Sequence, residues 1–218
     1  MINTAVLRRF SNIAALGRLL VGLAIFATGV ALMIRSNLGL GPWDMLHQGI
    51  FVLTGLSIGQ AAILVGLAIF VVLWPLGSRP GWGSVANMLL VGIVVDQVLP
   101  QLTVAPSVLW GFGYHLTGIA MAGFGTGLYV SARMGAGPRD SLMLVLGQRT
   151  GWSVRRIRVM IKLVVLVLGS LMGGTLGLGT VLFAVLIGPA VQWSLRACDP
   201  HRFAGHTRTQ IGASHHEA

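Results

Sequence analysis

The segment Asn37-Leu-Gly-Leu-Gly-Pro-Trp-Asp44 returns 96 residues later as Arg133-Met-Gly-Ala-Gly-Pro-Arg-Asp140. The same ungapped shift pairs Gly22 with Gly118, Gly29 with Gly125, Thr54-Gly55 with Thr150-Gly151, and Ser57 with Ser153. It continues through Gly77/Gly173, Gly83/Gly179 and Gly92/Gly188. Apolar stretches match by composition alone, so paired leucines prove little. Gly and Pro have specific backbone duties. G-x-G-P-x-D and T-G-x-S repeated in one frame therefore identify an internal duplication.

Outward from these turns the chain is apolar. Of its 218 residues, 55% are hydrophobic and 9% are charged, against about 25% charged in an average soluble domain. Fifteen basic and five acidic side chains cannot wet a soluble fold of this length. An ordinary soluble enzyme, a disordered chain and a coiled coil are excluded. A bilayer helix needs about 20 mostly apolar residues, and six stretches qualify: 17–35, 57–76, 83–104, 108–131, 155–173 and 178–196. Two others, 43–53 and 139–148, are too short, and each lies between a Gly-rich turn and a Thr-Gly pair. The expected fold is an all-α polytopic membrane protein with six transmembrane helices and two short half-helices. Its expected parts are a cytoplasmic N-terminal segment (1–16), membrane repeats at 17–104 and 108–197, and a disordered cytoplasmic tail (198–218).

The formal charge of +10 invites a nucleic-acid reading. The basic residues, however, punctuate the spans and do not form one wetted face, so no nucleic-acid partner is expected. With six crossings and a cytoplasmic N-terminus, 14 of the 15 Lys and Arg residues fall on or near the cytoplasmic side, and only Arg35 falls outside. Were the short stretches also to cross, Arg79, Arg133 and Arg139 would join it. Positive-inside topology favours six crossings, so the short helices return to the side they left. Three crossings per copy is odd, which inverts the second copy about an axis in the membrane plane, as in many transporters. The run 17–34 is longer than a signal-peptide core and reads as an uncleaved first helix. The single Cys198 excludes an intrachain disulfide and a cysteine metal cluster.

In the two turns, Gly41 and Gly137 suit the N-cap, Pro42 and Pro138 the first helical position, and Asp44 and Asp140 the third. There a carboxylate stabilises its own helix start by about 0.3–1 kcal/mol. Alternatively, helix starts held at membrane depth frame an ion or solute site. The residues leave both readings open. An ionisable residue inside an apolar run costs about 2.5–3.5 kcal/mol. Asp96, in Val94-Val-Asp-Gln-Val-Leu-Pro100, therefore either reaches water at the outer end or serves an interior ion site. Arg139 reads as a positive-inside charge ahead of a partner for Asp140, and Lys162 as a side chain snorkelling to the cytoplasmic surface. His47 and His115 read as isolated hydrogen-bonding residues. No Ser-His-Asp set, H-E-x-x-H or Walker sequence occurs, so no catalytic residue, metal or cofactor is expected, and the chain is not read as an enzyme.

The N-L-G-x-G-P-W-D segment (37–44), followed by T-G-L-S-x-G-Q (54–60), resembles the YczE/YyaS/YitT family of bacterial integral membrane proteins. The second copy, at 134–140 and 150–153, fits the same pattern. The resemblance covers residues 15–197. The soluble C-terminal domain of YitT-type members is absent, which places the chain nearer the YczE type. It implies a multi-pass protein of the bacterial inner membrane with cytoplasmic termini, and no particular activity. The expected function is a transporter or channel for a small solute or ion, with Gly41, Pro42, Asp44, Gly137, Pro138, Asp140 and Asp96 as the candidate site. The alternative is a scaffold or regulatory protein that docks a partner through the basic loop 133–158. The lipid bilayer is the expected partner. Glycine-rich helix faces suit a homo-oligomer and close intrachain packing equally.

Overall fold

A computed structural model describes residues 4–78, 81–135 and 137–198. Among them it contains eight α-helices and no strand. These are α1 (Thr4–Ser36), α2 (Pro42–Thr54), α3 (Ile58–Leu73), α4 (Trp82–Val98), α5 (Val108–Ser131), α6 (Pro138–Thr150), α7 (Val154–Leu171) and α8 (Leu178–Cys198). A short 3-10 turn, Leu99–Gln101, prolongs α4. The expected N-terminal segment enters α1 from Thr4, and the expected tail beyond Cys198 lies outside the described residues.

Local chemistry starts and stops these helices, at the two Gly-Pro turns as the sequence predicts. Gly41 and Gly137 are extended N-caps followed by Pro at the first turn. Ser57 and Gln60 form a capping box on α3, and Ser153 accepts from the Arg156 N–H on α7. The duplication is written into the backbone as well. Every described residue with a left-handed φ belongs to one of four pairs 96 residues apart: Asn37/Arg133, Gly39/Gly135, Gly55/Gly151 and Gly77/Gly173. Arg133 holds φ 56° and Asn37 φ 54°, a conformation that disfavours side chains other than Asn, Asp or His. The equivalence of the two turns therefore outweighs the preference of the arginine.

Three helical stretches are long and apolar enough to cross a bilayer unaided: Ile13–Ser36, Trp82–Gln101 and Leu178–Cys198. The pair α2–α3 qualifies jointly, bent by 111° across residues 55–57. The other expected spans fall short for local reasons. α3 has 16 residues and spans about 24 Å at 1.5 Å per residue. Glycines and polar residues dilute α5. α7 carries Arg155, Arg156, Arg158 and Lys162. Exposed Val71, Leu109, Leu171, Val181, Val185 and Trp193 call for a non-aqueous surround.

α1 and α5 cross at the centre. Gly22 approaches Gly125 and Tyr129, while Gly29 approaches Gly118 and Ala122, so the two helices run antiparallel. Their contact buries Leu19, Leu23, Met33, Ile119 and Ala122. α5 packs along α8 through Gly123 against Ala190 and Gly127 against Ser194, in the same direction. Contacts between the halves are reciprocal: the Gly179 N–H donates to Leu38 O at 2.7 Å, and the Gly83 N–H donates to Met134 O at 3.0 Å. Shifting one bond by 96 residues and exchanging its partners yields the other. Arg35 donates twice to Leu99 O, at 3.0 and 2.7 Å, and so satisfies a carbonyl at the end of α4.

The halves diverge in how α3 and α7 pack. α3 packs on α4, with Gly59 against Gly92 and Gly66 against Met88. The equivalents of Gly59 and Gly66 are Arg155 and Lys162, and α7 does not pack along α8.

Asp96 serves the α3–α4 contact. It accepts from the Ser57 hydroxyl and from the Gly59 N–H at 2.8 Å, capping α3 from a neighbouring helix. Bonds to a charged group contribute about 1.5–3 kcal/mol. Asp96→Ala is expected to destabilise the protein by about 2–3 kcal/mol, and Asp96→Asn by less, in thermal unfolding in detergent. A loss of solute movement at unchanged stability would instead assign Asp96 to an ion path.

Candidate functional site

The two G-x-G-P-x-D starts meet inside the protein. Trp43 and Arg139 are repeat equivalents, and the Arg139 guanidinium carbon stands 5.0 Å from the centre of the Trp43 ring, within cation–π range. Arg139 thus reaches across from α6 to α2. Its Nη2 lies 3.3 Å from His47 Nε2. A guanidinium can only donate, so Nε2 accepts and the ring proton resides on Nδ1. That nitrogen faces Asp44 Oδ1 at 3.9 Å. Asp44, His47 and Arg139 form one chain of groups across the two short helices. His47 follows Asp44 by three positions on α2, one helical face, which was its only sequence signal.

Two cavities flank this contact. The smaller, about 100 Å³, is lined by Gly41, Pro42 and Asp44 together with Met33 and Phe183. The larger, about 460 Å³, is lined by Gly137, Pro138 and Asp140 together with Asn87 and Tyr129. Trp43, Arg139 and Lys162 border both. Each short helix therefore presents its start to its own cavity, and the Trp43–Arg139 pair stands where the cavities adjoin. Asp44 is 7% exposed, and neither it nor Asp140 accepts a hydrogen bond from a described residue. Electrostatically Arg139 feels both carboxylates.

Residues 13–196 match a family of unknown function, DUF6198. The chain belongs to that family. It is 40% identical over 180 residues to "Uncharacterized membrane protein YczE" of Bacillus subtilis, covering 80% of this chain and 82% of that one. An "Uncharacterized protein" of Haemophilus influenzae is 39% identical over 178 residues, 81% of each chain. "Uncharacterized protein YyaS" of B. subtilis is 26% identical over 172 residues, 77% of this chain and 86% of that one. No solved structure matches. The likeness to YczE and YyaS read from the turn segments is therefore correct.

In this DUF6198 member the seven candidate site residues separate into three groups: Gly41, Pro42 and Asp44 on the smaller cavity, Gly137, Pro138 and Asp140 on the larger, and Asp96 apart from both, being bonded to Ser57 and Gly59. His115 links helices as expected, lying 3.0 Å from Ser36 Oγ and donating to Gly179 O at 2.8 Å. Lys162, half-buried on α7, borders both cavities. Gln48, which carried no sequence signal, accepts from the Thr175 N–H at 2.7 Å and ties α2 to the turn before α8. Among the described residues no three His, Cys, Asp or Glu side chains could hold a metal together.

Proposed function

We propose that this chain is a transporter or channel of the bacterial inner membrane, and not an enzyme. Six helices cross, the termini are cytoplasmic, and the second half is inverted relative to the first. The antiparallel crossing of the equivalent helices α1 and α5 and the exchanged Leu38–Gly179 and Met134–Gly83 bonds support the inversion, since reciprocal contacts accompany a two-fold relation. The membrane description of YczE and the long apolar helices support the location. The observation that carries the functional reading is the meeting of two half-helix starts at Trp43–Arg139, between cavities lined by one turn each. Half-helix ends at an inverted-repeat interface are where transporters place substrates, and free N–H groups there await a ligand.

The scaffold alternative loses ground. Arg139 and Arg158, which its basic loop would offer to a partner, line the large cavity, and Arg149 donates to Leu76 O at 3.2 Å.

Two measurements test the reading. In a Cys198→Ser background, Thr54→Cys is expected to react with an impermeant thiol reagent from outside intact cells, and Thr150→Cys from the cytoplasmic side alone. Both positions are exposed equivalents. Labelling of both from one side refutes the inverted topology. In proteoliposomes, Asp44→Asn and Asp140→Asn are expected to bring solute uptake to background. Wild-type uptake by both variants across all solutes tried would end the transport reading.

A further inference from the structure

The place where the halves differ determines who enters the large cavity. Gly59 and Gly66 let α3 close upon α4, whereas Arg155 and Lys162 hold the equivalent positions on α7, and α7 stands apart from α8. Both separated helices line the cavity, α7 through Val154, Arg158 and Lys162, and α8 through Ile187, Val191 and Leu195. The outer residues of the same helices are apolar and exposed: Val159, Leu163 and Val167 on α7, Val185 and Trp193 on α8. The gap consequently opens onto the belt that lipid covers.

Three cations line it, half-buried Arg139 and Lys162 and exposed Arg158, with one carboxylate, Asp140; counting Asp44, which Arg139 also feels from the smaller cavity, one positive charge remains in excess. Arg158 and Lys162 make no hydrogen bond or ion pair with a described residue, and Lys162 is only partly exposed. The rest of the wall is largely apolar, including Val91, Met143, Val154 and Leu195. A neutral solute leaves the excess positive charge uncompensated, and a bare inorganic anion leaves the apolar wall unmet. We infer that the passenger is an anionic amphiphile, a single phosphate or carboxylate head on an apolar body, that enters sideways from the bilayer between α7 and α8. Its head pairs with Lys162 and Arg158, and its body lies along Val191 and Leu195. The word passenger rests on the transport reading; the binding site itself does not.

The test reads binding without transport. Purified full-length protein is offered equal amounts of phosphatidylglycerol and phosphatidylcholine and examined by native mass spectrometry. Retention of phosphatidylglycerol is expected to exceed that of phosphatidylcholine by about fivefold for each cation engaged, the factor for a Lys or Arg beside an anionic head group. Lys162→Gln is expected to lower the preference by that factor and Lys162→Arg to keep it. Val191→Trp, which fills the apolar wall and leaves every charge in place, is expected to reduce retention as well, and covers the case that Lys162→Gln fails to fold. Decyl phosphate is expected to displace the lipid, and inorganic phosphate is not. Equal retention of both lipids, an unaffected Val191→Trp, or displacement by inorganic phosphate as effective as by decyl phosphate overturns the inference. Solute flux in pure phosphatidylcholine vesicles without phosphatidylglycerol preference would refute this inference alone. Phosphatidylglycerol preference with no flux of any solute would refute transport and leave the site standing.

Discussion

Gly125→Leu is expected to abolish the folded protein, and Gly22→Leu to do the same from the opposite side of the α1–α5 crossing. A Cβ on Gly125 would lie 2.5 Å from Gly22 O and 2.6 Å from Phe26 N. On Gly22 it would lie 2.6 Å from Tyr129 N and 2.9 Å from Gly125 O. The obstructing atoms are backbone and cannot rotate away, so the helices must part. Overpacking against movable side chains costs about 1–3 kcal/mol. Parting α1 from α5 adds loss of the contact that buries Leu19, Leu23 and Ile119, against a total stability of about 5–15 kcal/mol. The readout is the monodisperse fraction in size-exclusion chromatography of detergent extracts. Gly113→Leu, on α5 itself, has nothing within 4 Å of the added Cβ and is expected to behave like wild type. A Gly125→Leu protein that elutes and melts like the parent would refute the packing described here.

Arg139→Met is expected to produce the second large effect, and a reversible one. Arg139 is the cation shared by Asp44 and Asp140, the partner of the Trp43 ring and the donor to His47. Removing one member of a buried charged set costs about 3–5 kcal/mol because its partner is left uncompensated. Arg139 is only partly buried, so the lower end applies, about 3 kcal/mol. Neutralising the stranded carboxylate as well, in Arg139→Met/Asp44→Asn, is expected to recover at least half of that loss while solute uptake stays at background. Arg139→Lys keeps the charge but not the planar fork, and is expected to fall between. The melting temperatures of the three variants decide it: an Arg139→Met protein as stable as wild type would show that the arginine holds nothing together.

Much of the fold was legible in the residues. The α2 and α6 boundaries follow from Gly41-Pro42 and Gly137-Pro138 at one end and from Gly55 and Gly151 at the other, since Pro suits the first turn and Gly the left-handed position past a helix end. The candidate site was legible as two separate starts. Its inner members were not. Nothing in the spacing of Arg139 or Lys162 reveals Trp43, His47 or the cavities as neighbours, and only the packing of α6 and α7 against α2 and α3 brings them there. Asp96 looked functional because an acid in an apolar run is costly. What offsets that cost is the start of α3, and no periodicity within α4 reveals that neighbour. The exchange of Gly66 for Lys162 was visible in the repeat, but its consequence, a gap between two helices, is a matter of packing.

By itself the sequence determined the class of the molecule, its recurring turn segments and the places where the two short helices begin and end. Composition, glycine and proline act within a few residues and need no distant partner. Tertiary structure alone decided that Arg139 meets Trp43 and His47, and that α7 and α8 both line the large cavity. These groups lie far apart in the chain, and only the packing of helices from the two halves against each other brings them together.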